Sequence, residues 1–243
     1  MTEAAKNHPP IDLIGAPIDI GADNRGGSMG PEALRVAGLQ EALERLGYAV
    51  TDRGNLIGPV NPNRGPVDGY RHLEETALWC EQARDAVRSS LDNGRMPILL
   101  GGDHSLAIGS IAGIAAHCAA AGKPLSILWL DAHADFNTAE TSPSGNIHGM
   151  PLAIAAGRGP ERLTKIGPAL PMLDPSRVVQ IGVRSVDAME KTLVMASGME
   201  VLDMRRIDEI RMRQTMEIAL DKLAALGGHV HVPPRHIDES RRQ

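Results

Sequence analysis

Leu125-Ser126-Ile127-Leu128-Trp129-Leu130-Asp131-Ala132-His133-Ala134-Asp135 is the stretch from which the fold can be read. Its first six residues are almost wholly apolar and lack the polar alternation of a half-exposed strand, so they read as a buried β-strand. The strand stops abruptly in two carboxylates and an imidazole. Working back towards the N-terminus, Pro97-Ile98-Leu99-Leu100 is a second short apolar strand, and it runs into Gly101-Gly102-Asp103-His104-Ser105. Between the two lies a small-residue run, 105–121, that reads as a helix ended by Gly122. Strand, helix, strand at this spacing is a parallel βαβ unit, whose chemistry sits at the carboxyl ends of its strands.

The same alternation extends in both directions. Residues 11–18 read as a first strand, followed by a Gly/Asn/Arg-rich loop. Pro31 opens a helix expected to run to about Leu46, because a first-turn proline has no amide proton left to satisfy. Residues 48–52 read as a strand, 55–69 as a Pro/Gly/Asn loop, and 70–93 as a long helix stopped by Asn93-Gly94. Further strands are expected at 177–183, 199–204 and 229–232, with an amphipathic helix at 207–226. The expected fold is a three-layer α/β/α sandwich on a mainly parallel sheet, forming one domain.

The composition agrees. A chain of 243 residues with 42% apolar and 23% charged residues is that of an ordinary globular protein, long enough to bury roughly 70–75% of its unfolded surface. One Phe, two Tyr and two Trp leave the core to Leu, Ile, Val, Ala and Met. A formal net charge of −5 argues against nucleic-acid and anionic-membrane partners. Cys80 and Cys118 stand in helical runs without paired spacing and read as buried free thiols of a reducing compartment. The first ten residues lack a secretory pattern and no run approaches the length of a membrane span, so a cytoplasmic location is expected.

Asp131, His133 and Asp135 are spaced by two, which in extended backbone places their side chains on one face. Such a cluster repels itself unless a cation neutralises it. The alternative is a solvated loop with coincidental charges, but a second Asp–His pair, Asp103-His104, at another strand end favours a metal. Oxygen-rich ligation with imidazole and no thiolate suits Mn²⁺ ahead of Zn²⁺, Co²⁺ or Fe²⁺. Ser144-Gly145-Asn146-Ile147-His148-Gly149 offers a hydroxyl, an amide and an imidazole, and taken alone could equally be a generic turn.

GGDHSLAIGS, LWLDAHADFNT, SGNIHGMP and IGVRSVDAME, in this order and spacing, closely resemble the arginase branch of the ureohydrolase family, and RGGSMGPEALRVAGL and VLDMRRIDE are similar to it. The resemblance runs from about Ile11 to Val232. It implies a two-ion manganese centre that hydrolyses L-arginine to L-ornithine and urea. His104, Asp131 and Asp135 would hold the first ion. Asp131 would bridge to the second, with His133 as its imidazole. His148 matches the residue that exchanges protons with the leaving amine. Asn137, Ser144 and Asn146 match residues that recognise the substrate α-carboxylate. Asp187, with Glu190 as an acidic neighbour, matches the group facing the α-amino group. Agmatinase-like specificity is the nearest rival reading, and the family implies a trimer or hexamer.

The resemblance ends after Val232. Family members continue with an Asp-x-Asp pair, whereas residues 233–243 read PPRHIDESRRQ, a polar tail outside the family-like unit of residues 1–232. The expectation is therefore a truncated family member with two metal ligands and a final strand and helices missing, impaired or inactive as an enzyme. The family's last strand would lie beside the third and seventh strands, so a gap or exposed edges are expected there.

Overall fold

The structure is a computed structural model, and it describes residues 8–22 and 25–233. Seven strands and eight helices alternate along these residues. β1 (Ile11–Ala16) is followed by α1 (Gly30–Val36), α2 (Leu39–Arg45), β2 (Val50–Asn55), α3 (Leu73–Asp92) and β3 (Met96–Gly101). Then come α4 (Leu106–Ala120), β4 (Leu125–Leu130), α5 (Pro151–Ala155), α6 (Glu161–Thr164) and β5 (Val178–Ile181). α7 (Ala188–Ser197), β6 (Glu200–Leu202), α8 (Met204–Leu226) and β7 (His229–His231) complete the described chain. Every pairing between strands is parallel, with helices packed around the sheets, as the alternating pattern predicts.

Two expected helices differ in detail. The helix expected from Pro31 to Leu46 is broken into α1 and α2 at Gly38, whose φ of 79° lies in the left-handed region and ends α1. α8 begins three residues earlier than expected and is kinked at Arg211, where φ is 68°.

The strands form two sheets, ordered β2-β1-β3 and β6-β5-β4-β7. β1 and β3 run in register from Ile11 opposite Met96 to Ala16 opposite Gly101. β4 pairs with β5 on one side and, through Leu125, Ser126 and Ile127, with β7 on the other. Among the described residues β3 and β7 are outer strands of their sheets. Between them lies a largely apolar groove of about 580 Å³, floored by Val87 and Leu91 of α3 and Ser110 and Ile114 of α4. Ser110 Oγ lies 3.1 Å from His231 Nε2 across it. The residues on which the tail reading rests, 234–243, lie outside the described residues.

α4 is apolar on nearly every side and packs on α3, α5, β4 and β7. It packs tightly on α3 because Gly109 has no side chain: a Cβ there would stand 2.3 Å from the Cys80 carbonyl. That close packing fixes the start of α4, and with it His104. Cys80 and Cys118 are both free and buried. No helix among the described residues is long and apolar enough to cross a membrane.

Candidate metal centre

The carboxyl ends of β3 and β4 deliver the two polar clusters to one place, although the strands belong to different sheets. After β3, Gly102 lets the backbone pass beside the loop that follows β1, where a Cβ would lie 2.3 Å from the Ile18 carbonyl. Buried Asp103 then ties that loop down. Its Oδ2 accepts the Gly21 amide at 2.8 Å, and its Oδ1 accepts the Ser105 amide and hydroxyl. His104 is thereby set at the head of α4, with its ring stacked on Trp129 of β4 at 4.5 Å between centroids.

After β4, Asp131 and Asp135 turn inward. His104, Asp131 and Asp135 are all buried, and each offers an atom within 4.8 Å of the others. His104 Nδ1 lies 2.9 Å from Asp135 Oδ2 and 3.4 Å from Asp131 Oδ2. Asp131 Oδ1 faces the other way, 3.3 Å from His133 Nδ1, and accepts the His133 amide at 2.9 Å. Asp131 therefore stands between two imidazoles, one oxygen towards each.

The donor set fits a metal. Asp135 Oδ2 is buried and makes no well-aligned hydrogen bond despite its short distance to His104. An octahedral ion with bonds of about 2.1 Å holds neighbouring ligands about 3 Å apart, and His104 Nδ1 stands 2.9 Å and 3.4 Å from Asp135 and Asp131. Asp135 itself adopts φ 51°, a left-handed conformation that a non-glycine residue holds only when its surroundings impose it. Gln180, fully buried in β5, donates to the Ala134 carbonyl at 2.8 Å and braces the loop between His133 and Asp135.

Among the described residues that line the cleft there is no lysine or arginine. Burial disfavours the charged His104 ring, but Asp135, Asp131 and Asp103 outweigh it and raise its pKa. Burial likewise works against Asp131 ionising, and the bonds from His133 with the nearby His104 reverse this, so its pKa is lowered. Glu190 is pushed up to about 7 by burial, against the Phe136 amide bond and with Asp135 adding repulsion.

A cleft with an enclosed volume of about 50 Å³ brings together His104, Asp131, His133, Asp135, Asn137, His148, Asp187 and Glu190, with Gly149 and Ser185 also on its wall. Eight of the ten residues expected from the sequence thus share one cleft. His148 is placed by its amide, which donates to the Gly21 carbonyl at 3.0 Å. Asn137 Nδ2 reaches Asp187 Oδ2 at 3.4 Å. Ser144 and Asn146 are not on the wall. Ser144 Oγ accepts the Asn146 amide at 3.2 Å and shapes the loop, while Asn146 is buried beside it. Glu190 is more structural than expected, since its carboxylate accepts the amides of Phe136 at 2.8 Å and Asp187 at 3.4 Å.

The sequence reading gave no role to Trp129, Gln180 or Ser185, and took Asp103 as half of a metal-favouring pair, whereas it ties down the loop after β1. A glutamine inside the apolar strand Val-Val-Gln-Ile was the available signal for Gln180. Ser185 becomes visible only through its bridge to His133 across the cleft. The expected shortage of metal ligands gains no support from this geometry, because the described residues assemble a compact three-ligand group.

The profile of the Arginase family matches residues 10–233. The arginase of Bacillus caldovelox is 44% identical over 225 residues, covering 92% of this chain and 74% of that protein. The arginase of Brevibacillus brevis is 41% identical over 222 residues, covering 91% and 73%. The native structure of the Bacillus caldovelox arginase superposes with a TM-score of 0.86 at 43% identity, covering 93% of this chain and 75% of that one. The Entamoeba histolytica arginase, in complex with L-ornithine, gives 0.83 at 32% identity, covering 92% and 74%. The chain is a hydrolase that belongs to the arginase family.

Proposed function

We propose that the chain hydrolyses L-arginine to L-ornithine and urea with manganese held in the acidic cleft. The observation that carries this reading is the convergence of His104, Asp131 and Asp135 in one cleft with Asn137, His148 and Asp187. Bound manganese would supply water activated as a nucleophile at neutral pH.

The protein's own groups divide the remaining work. His104, Asp131 and Asp135 would hold an ion, and the second Asp131 oxygen faces His133. Asp187 faces the substrate ammonium and Asn137 offers an amide to the α-carboxylate, so a zwitterionic substrate is bound by an acid and a neutral donor. Ser144 and Asn146 keep the adjoining loop in shape. His148 exchanges a proton with the departing amine, a role suited to imidazole. The same reading takes the protein as a cytoplasmic trimer or hexamer.

The purified chain should release urea from L-arginine when manganese is supplied and lose this activity after chelation. Agmatine, which lacks the carboxylate, should be a poorer substrate. Equal or greater turnover of agmatine would reject the roles given to Asn137 and the arginine assignment. Metal bound at the trio without any urea would leave a metal-binding relative and reject the reaction.

A further inference from the structure

We propose that Trp129 is a positioning residue of the metal centre, whose indole sets the plane of the His104 ring and so aims Nδ1 at the ion. The inference rests on the reading of His104, Asp131 and Asp135 as a manganese site. It adds a residue that acts through His104 and is not itself a ligand.

Fixing the backbone at residue 104 does not fix the imidazole. Asp103 holds the turn through the Gly21 and Ser105 amides. The last torsion of a histidine side chain is broad, however, without the sharp staggered wells of an aliphatic chain. A ring free to turn about it would point Nδ1 at the two carboxylates only part of the time. The Trp129 indole lies against that ring, with centroids 4.5 Å apart and planes 22° from parallel. Stacking occupies a face of the imidazole and leaves both nitrogens, which lie in the ring plane, open at its edge. It restrains rotation without competing for the atom that binds metal.

The platform is itself immobile. Trp129 is 1% exposed near the end of β4, where it pairs in register with Gln180 of β5. The ladder continues to Asp131, whose amide donates to the Ile181 carbonyl at 3.1 Å. Side chains alternate along extended backbone, so Trp129 and Asp131 share a face. One strand thus carries a ligand and, two residues earlier, the support for a ligand that arrives from the other sheet. The spacing of 3.4 Å between His104 Nδ1 and Asp131 Oδ2 is held through this pair.

An independent sign comes from the indole N–H. Trp129 Nε1 is buried without a hydrogen-bond partner. An unpaired buried donor costs stability and calls for an explanation, and phenylalanine or leucine would fill the same core without it. Local packing alone disfavours tryptophan here, whereas a wide, flat ring beneath His104 accounts for it.

The test compares Trp129→Phe, which keeps a flat ring and removes the orphaned N–H, with Trp129→Leu, which keeps apolar bulk and loses the flat face. Manganese affinity of the full chain is read by equilibrium dialysis, beside the melting temperature of the metal-free protein. The Phe chain should bind the tighter ion as the parent does. The Leu chain should bind it about tenfold or more weakly, in the manner of other groups that orient metal ligands, even where the two variants melt alike. A purely structural role predicts instead that affinity follows melting temperature. Parent-like affinity in the Leu chain, or a tenfold loss in a Phe chain that melts normally, overturns the platform. If the Leu chain does not fold, Trp129→Met, whose flexible thioether fills irregular space, is judged by the same criteria. A parent chain that binds no manganese rejects the metal reading and this inference together, whereas a variant that fails these criteria beside a binding parent rejects this inference alone.

Discussion

The two sides of Asp131 differ sharply, although both present an imidazole to the same carboxylate. On one side His104 is buried with 7% of its side chain exposed, stacked on Trp129, and faces Asp135 as well as Asp131. On the other, His133 is 28% exposed and, among the described residues, has an Asp131 oxygen within 4 Å. The first side offers three ligand atoms within 4.8 Å of one another. Among the described residues, the second side offers an imidazole and the shared carboxylate. The lesson is that a single motif, Asp-Ala-His-Ala-Asp, can present one buried face and one more exposed face, because the neighbouring strand end sets the surroundings more than the motif does.

The most severe way to break this comparison is to remove the shared residue. Asp131→Asn takes a charged oxygen from both sides, and losing a ligand should cost more than the roughly 10–100-fold typical of outer-shell changes. Manganese titration should show no tight ion, and urea release should fall by at least about a thousandfold. Retention of one tight ion would show that His104 and Asp135 suffice, and that Asp131 is less central than its position suggests.

A finer cut separates the two imidazoles. His104→Asn should remove the tighter ion and take the weaker with it. His133→Asn should leave the tighter ion within about tenfold of the parent while abolishing activity that needs both. Counting bound manganese by equilibrium dialysis in the two variants distinguishes these outcomes. Equal losses would mean that the sides are not unequal after all.

Much of this asymmetry was legible in the residues. The alternation of short apolar runs with helices fixed the parallel α/β class, and Asp131, His133 and Asp135 could be placed on one face by their spacing. The convergence with His104 was inferred from a second polar strand end, and the structure brings the two together. What could not be read is what depends on residues distant in sequence. The break at Gly38 requires knowing how α1 and α2 dock, and the split into two sheets depends on which strands find partners. Ser144 and Asn146 illustrate the limit at the site. Their motif is recognisable, yet one shapes a loop through Asn146 and the other is buried beside it, neither of them on the cleft wall.

Glu190 offers a pH test confined to the His104 side, where Asp135 adds to its repulsion. An acid whose folded pKa is raised, here from 4.5 to about 7, stabilises the fold relative to its charged form below pH 4.5. That contribution is lost as pH rises through 7, because the unfolded chain releases the proton first. Glu190→Gln keeps an oxygen for the Phe136 amide and removes the titration. In metal-free protein it should therefore gain up to about 3 kcal/mol over the parent at pH 8 and nothing at pH 4, as read by urea unfolding at the two pH values. A constant difference across the range would show that burial around Glu190 is looser than the structure places it.

The smallest expected effect comes from Gln180, and it sharpens the comparison by acting on both sides together. Its amide nitrogen holds the Ala134 carbonyl, midway between His133 and Asp135, while its Oε1 is buried without a hydrogen-bond partner. Gln180→Leu removes a hydrogen bond worth about 1 kcal/mol, but it also removes an orphaned acceptor that costs about as much to bury. Global stability should hence change by less than about 1 kcal/mol. The Ala134 carbonyl is left without its brace, however, and the loop that aims both metal positions is freed to shift. Metal affinity should drop about tenfold on each side, in the manner of other outer-shell losses. A loss confined to the His133 side would mean that the three-ligand group holds its shape without help, and that the brace serves only the weaker position.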